Sequence, residues 1–269
     1  MANETVPVVK HYTRNNLMER IRTALVEADY DPDQPTVEML SELDHLHGGG
    51  YATTRTQARL ANIPHGCHVL DAGCGIGGPS RYLAGRLGCT VEAIDLTPEY
   101  VEIARQLNES VGLGDRISVQ IGNVTELPFE DESFDVVLCQ NVTMNVADKP
   151  AMFAEALRVL KPGGLYTISH LAEGPNGPPI YPLPWARTPE TSFLETPLKI
   201  LDLLSQAGFS AVEDVAQQSS TKPGEGSPPR TIGAAPAMGD DIVVRTGNSS
   251  QSVRDGRLIP MIILARRPS

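Results

Sequence analysis

Aromatic side chains are scarce in this 269-residue chain, at 5%, with one Trp, five Phe and seven Tyr. So few give no evidence of a full aromatic cage for a quaternary ammonium. Cysteine is scarcer still: Cys67, Cys74, Cys89 and Cys139 show no metal-type pairing, and the six histidines are scattered. Neither pattern has the ligand spacing of a metal site, and the thiols read as small buried groups of a reduced, cytoplasmic protein. Basic residues form no run beyond Arg266-Arg267, and the net charge is −11. A nucleic-acid partner is therefore disfavoured, because neutralising phosphates takes a basic face. Long apolar runs are missing, and Met1 to Lys10 lacks an apolar core, so neither a membrane span nor a signal peptide is expected. No internal repeat is evident, and oligomeric state stays open.

What is present is concentrated in residues 69–78, Val-Leu-Asp-Ala-Gly-Cys-Gly-Ile-Gly-Gly. A short apolar run ends in Asp71 and leads through glycines into a helix-like segment. Such a loop lets a ligand approach the main chain and meet the positive end of a helix. Gly73, Gly75 and Gly78 also satisfy the dinucleotide pattern G-x-G-x-x-G, which a plain strand-to-helix turn can match as well. Asp71, two residues before the first glycine, departs from that pattern. A second strand, Thr90 to Ile94, ends in Asp95, placed to accept hydrogen bonds from ribose hydroxyls. Arg158 to Gly164 ends a helical stretch and turns into another apolar strand.

Strands are predicted near 67–71, 90–95, 116–121, 134–139 and 164–170, with helices near 79–87, 98–111 and 149–160. This alternation implies an α/β fold, a Rossmann-like doubly wound sheet with ligands at the carboxyl ends of its strands. Residues 1–62 read as an N-terminal helical cap, with helices over 13–28, 36–43 and 52–61, and residues 63–269 as the binding domain. A Gly/Pro-rich stretch inside about 172–195 reads as a lid insertion. A helix at 197–206 and a strand at 209–216 follow, then a Ser/Gly/Pro-rich segment, 217–239, predicted to be mobile. A weak helix near 239–253 and a final strand, Leu258 to Ala265, close the chain.

The segments Val69–Gly78, Ala93–Asp95 and Val159–Gly164 resemble, in order and spacing, the signature of class I S-adenosylmethionine-dependent methyltransferases. The stretches His11–Arg14, Asp44–Gly49, Gln140–Asn145 and Pro184–Arg187 extend the resemblance to the sarcosine/dimethylglycine, phosphoethanolamine and tocopherol-type branch. It implies seven strands with the last antiparallel, an N-terminal helical cover, S-adenosylmethionine as cofactor with S-adenosylhomocysteine as its product, and no resident metal.

On that resemblance Gly73, Cys74, Gly75 and Gly77 line the methionine part and ribose of the cofactor, and Gly49 meets its carboxylate. Asp71 either accepts from the cofactor ammonium or holds the glycine loop. Asp95 takes the ribose diol and Leu96 packs on the adenine. Asn123, beside Val124, replaces the usual acidic partner of the adenine amino group and reads either as that partner or as a turn asparagine. Gln140 and Met144 flank the sulfonium.

For the chemistry, Tyr12 resembles the catalytic tyrosine of phosphoethanolamine methyltransferases, but its histidine partner is replaced by Asn145. His170, after the fifth strand, is either a base of near-neutral pKa or a hydrogen-bonded strand-end residue. His47 is a further candidate, structural or cofactor-facing. Trp185, with Tyr181 and Arg187, either walls an acceptor pocket or anchors the insertion. The expected function is methyl transfer to an N, O or C nucleophile of a small molecule. The alternative is a non-catalytic cofactor-binding sensor or scaffold. An NAD-dependent oxidoreductase is disfavoured by Asp71 and by Val159–Gly164.

Overall fold

His68–Ala72 and Phe134–Gln140 are buried at nearly every position, as befits strands covered on both faces. The computed structural model describes residues 2–218 and 232–269. It forms a seven-stranded sheet, in the order Ile117–Ile121, Thr90–Asp95, His68–Ala72, Phe134–Gln140, Leu160–Glu173, Leu258–Arg266, Ser210–Asp214.

The chain begins with α1 (Ala2–Tyr12), α2 (Leu17–Glu27), α3 (Val37–Leu40) and α4 (Gly50–Leu60). The α/β core follows as β1 (His68–Ala72), α5 (Gly78–Leu87), β2 (Thr90–Asp95), α6 (Pro98–Ser110), β3 (Ile117–Ile121), β4 (Phe134–Gln140), α7 (Lys149–Val159) and β5 (Leu160–Glu173). The remainder is α8 (Pro197–Gln206), β6 (Ser210–Asp214), α9 (Ala235–Met238), α10 (Ile242–Arg254) and β7 (Leu258–Arg266). Strands β1 to β5 pair in parallel, while β7 runs antiparallel between β5 and β6.

Period-two alternation builds a core on each face of the sheet. Leu70, Val137 and Ile168 pack with Phe153 and Leu204 on one side. Val69, Val91, Val136 and Leu138 pack with Leu83 and Val101 on the other. At the N-terminal end α2 buries Leu17, Ile21 and Leu25, at helical spacing, against Leu40, Ile76 and Tyr100.

The structure departs from the sequence reading in four places. Residues 2–12 are helical, with Pro7 inside the helix, where no helix was expected. The helix expected over 36–43 is the single turn α3, followed by further turns. Strand β5 starts at Leu160 because that residue pairs with Phe134 before the register shifts to Val136↔Leu165. The segment expected to be mobile, 217–239, holds α9 near its end, and its residues 219–231 lie outside the described residues. No helix among the described residues is long and apolar enough to cross a membrane.

Candidate functional site

A cleft of about 1040 Å³ opens where β1 to β5 end, slightly above the usual range for one small ligand. Loops carrying Gly73, Cys74, Gly75, Asp95, Leu96, Asn123 and Val124 line one end of it. Gln140, Met144, Asn145, His170 and Tyr12 line the middle, with His47 and Gly49 contributed by the segment between α3 and α4. Leu171 on β5, Met261 on β7, Trp185 and Val253 line the far end, across β1 and β4 from Asp95, and Met238 lies against the Tyr100 hydroxyl.

The glycine loop turns because Gly73 and Gly77 both sit at φ +87°, a region that side chains strongly disfavour. A Cβ on Gly73 would collide with Val142, and one on Gly77 would lie 2.8 Å from Arg81 Nη1. Gly77 packs on Arg81 and is not among the residues that line the cleft. Asp71 is also behind the loop: it is 1% exposed and accepts from Ser80 Oγ at 2.6 Å. Its other oxygen has no hydrogen-bond partner, and burial pushes the carboxyl up to about 7.

Asp95 remains on the wall, its Oδ2 accepting from Gly75 N–H and its Oδ1 from Thr97 N–H, each at 2.9 Å. Each oxygen keeps a further lone pair for a ligand hydroxyl. Asn123 Oδ1 accepts from Thr125 N–H at 3.1 Å, an Asx turn that leaves the amide NH₂ as the group to offer a ligand. The wall therefore suits a ribosylated base: a carboxylate beside Leu96, a loop without side chains at Gly73 and Gly75, and an amide donor.

His170 lies on the wall, and of its two readings its contacts are those of a hydrogen-bonded strand residue. Its Nδ1 meets Thr143 Oγ1 at 2.5 Å and its Nε2 meets Met261 Sδ at 3.4 Å. Burial, and then the Lys149 charge, lower its pKa to about 3. Tyr12 is raised to about 12 by burial, so its hydroxyl keeps its proton while accepting from Asn145. His47 Nε2 meets Gln140 Oε1 at 3.1 Å. Of the insertion residues, Trp185 faces the cleft and donates to Ser192 Oγ at 2.9 Å. Tyr181 packs on the cluster around Trp185 and Leu258, and Arg187 pairs with Asp241; neither reaches the wall.

Two arrangements escaped the sequence reading. The fully buried Arg81 donates to Asp44 Oδ2 at 2.8 and 3.1 Å, to Ile76 O at 2.6 Å and to Asn108 Oδ1 at 2.8 Å. It clamps the glycine loop to the N-terminal segment. A chain of hydrogen bonds runs from His45 through Thr54 to Gln140, then to Gln57 and Thr167. Its one local signal is the polar pair Thr54 and Gln57, at i and i+3 on the face of α4 that also buries Ala58.

Comparison with known proteins agrees with this architecture. Residues 70–168 match the family described as "Methyltransferase domain". "Methyltransferase GfsG" of Streptomyces halstedii is 32% identical over 157 residues, 58% of this chain and 54% of that protein. The sarcosine/dimethylglycine N-methyltransferase of Aphanothece halophytica is 37% identical over 131 residues, 47% of each chain. The chain thus spans about half the length of these curated relatives. A solved phosphoethanolamine N-methyltransferase 2 of Haemonchus contortus superposes with a TM-score of 0.67 at 20% identity, over 92% of this chain and 60% of that one. That protein was captured with phosphomonomethylethanolamine and S-adenosylhomocysteine. Residues 70–168 thus match a methyltransferase domain, and the chain shares the Rossmann-like fold of the solved Haemonchus contortus protein.

Proposed function

We propose that this chain transfers a methyl group from S-adenosylmethionine to an N, O or C nucleophile of a small molecule. The observation that carries the reading is Asp95, held by two backbone N–H groups on the wall of the cleft beside the side-chain-free loop at Gly73 and Gly75. S-adenosylmethionine, when bound, supplies a methyl group already activated on a sulfonium.

In this reading Asp95 accepts from the ribose hydroxyls, Leu96 packs on the adenine, and Asn123 donates to a ring nitrogen. Asp71 acts indirectly, holding Ser80 at the start of α5. Residues 1–62 serve as a cover, since Tyr12, Leu46 and His47 close one side of the cleft. With His170 neutral and Tyr12 protonated, neither takes a proton near neutral pH; the protein's work is to align the acceptor and exclude water, and a phenol or carbon acid gives up its proton to bulk solvent.

Calorimetric titration with S-adenosylmethionine, S-adenosylhomocysteine and NAD tests the proposal. The expected result is binding of the first two alone, followed by S-adenosylhomocysteine release with an acceptor drawn from amines, phenols and carbon acids. No binding of either sulfur nucleoside would overturn it.

A further inference from the structure

The far end of the cleft selects its occupant by what its walls carry. Leu171 on β5, Met261 on β7, Val253 on α10, and Trp185 and Phe193 from residues 174–196 make an apolar surround. The cations around it are turned elsewhere. Lys149 donates to Val146 O at 2.9 Å and Phe193 O at 2.5 Å. Arg245 donates to Pro184 O at 2.8 Å and to Met238 O, and lies 3.2 Å from Asp241, which also pairs with Arg187. Each of these charges is spent on a carbonyl or carboxylate, and among the described residues no Lys or Arg lines the cleft.

A phosphate or carboxylate entering this end would shed water with no counter-charge among the described residues to replace it. Polar contacts come instead from α10, where Thr246, Ser249 and Ser250 reach the wall at i, i+3 and i+4, one helical face. Neutral hydroxyls of this kind pair with hydroxyl or carbonyl groups. The cleft volume leaves space for such a molecule beside a nucleoside.

We infer that this end takes a neutral, largely apolar small molecule bearing hydroxyl or carbonyl groups, and that this molecule is the methyl acceptor. Its role as acceptor rests on the methyl-transfer reading; its binding does not. The phosphate of the phosphomonomethylethanolamine held by the Haemonchus contortus protein is the group for which these described walls hold no counter-charge.

Trp185 is the one tryptophan of the sequence, so its emission reports occupancy of this end. The full chain, with and without saturating S-adenosylhomocysteine, is titrated with geraniol and estradiol as neutral apolar probes, and with O-phosphoethanolamine and sarcosine as charged ones. The expected result is a saturable change with at least one apolar probe and none with the charged ones. Val253→Asp weakens that probe about tenfold or more, because a carboxylate must desolvate against it, while calorimetric affinity for S-adenosylhomocysteine is unchanged. Ser250→Asp, at an exposed wall position one turn earlier and tolerant of charge, weakens it as well. Saturation by O-phosphoethanolamine or sarcosine, or no change with either apolar probe, would overturn the inference. Apolar binding without S-adenosylhomocysteine binding would remove the methyl-transfer reading and leave this binding site standing.

Discussion

Asn145 Nδ2 donates a hydrogen bond to the Tyr12 hydroxyl at 3.3 Å, joining two residues 133 positions apart on the wall of one cleft. The contact ties the last residue of α1 to the turn after β4. It stands where the resembled branch pairs a tyrosine with a histidine. Here an amide donor takes that place, and the phenol is held up at about 12.

Tyr12→Phe removes the acceptor and leaves the Asn145 amide unpaired at the cleft. One neutral hydrogen bond of about 1 kcal/mol corresponds to roughly a fivefold loss in kcat/KM. The pH–rate profile of the unmodified chain is expected to show no limb from Tyr12 below about pH 11, since the group stays protonated there. Steady-state kinetics across pH checks both statements.

His170 links the cleft to stability in acid. Its pKa falls from 6.5 in the unfolded chain to about 3 in the fold, so the native state resists the proton that the unfolded state takes. Its contribution is complete above pH 6.5 and is lost as pH falls toward 3, at up to about 1.4 kcal/mol per unit. His11, lowered to about 4 by burial, acts in the same direction. Urea unfolding of wild type and His170→Gln at pH 7 and pH 5 is expected to show a smaller difference between them at pH 5.

Asp71 has the opposite sign. Its folded pKa of about 7 lies above the model-peptide 3.8, so stability is greatest below pH 3.8 and declines as pH rises toward 7. Asp71→Asn keeps an acceptor for Ser80 and removes the titration. The variant is expected to gain on wild type between pH 4 and 7, by at most on the order of 4 kcal/mol for a fully buried group. Equal pH dependence of the two unfolding midpoints would contradict this.

Asp44→Ala strands the Arg81 guanidinium, which has 0% exposure. Leaving one member of a buried pair uncompensated costs about 3–5 kcal/mol, enough to lower the melting temperature by many degrees. Differential scanning calorimetry measures it directly. Arg81→Met/Asp44→Leu, which removes both charges together, is expected to cost less than Asp44→Ala.

Asp95→Ala tests the cofactor end alone. Two hydrogen bonds to a charged acceptor, at about 1.5–3 kcal/mol each, predict a loss in S-adenosylhomocysteine affinity of at least tenfold by calorimetry. Binding of the apolar probes at the far end is expected to persist, because Asp95 ends β2 while Leu171 and Met261 stand on β5 and β7, with β1 and β4 between them in the sheet.

Within single stretches of ten or so residues, the sequence by itself determined the strand–helix alternation, the glycine turn and the acidic end of β2. Those features are written in neighbouring residues: Asp71, Gly73 and Gly75 lie in one turn, and Thr90–Asp95 is one strand. The helix over residues 2–12 was not legible, for Pro7 interrupts it and its last residue, Tyr12, reaches the cleft. Tertiary structure alone decided that Arg81 meets Asp44, that Gln140 meets Gln57, and that His170 loses its basicity between Thr143 and Met261. It also decided the character of the far end, where Leu171, Trp185, Val253 and Met261 converge from four segments. A residue's burial and charged neighbours depend on which distant segments the sheet order brings together, and no local pattern of residue types carries that information.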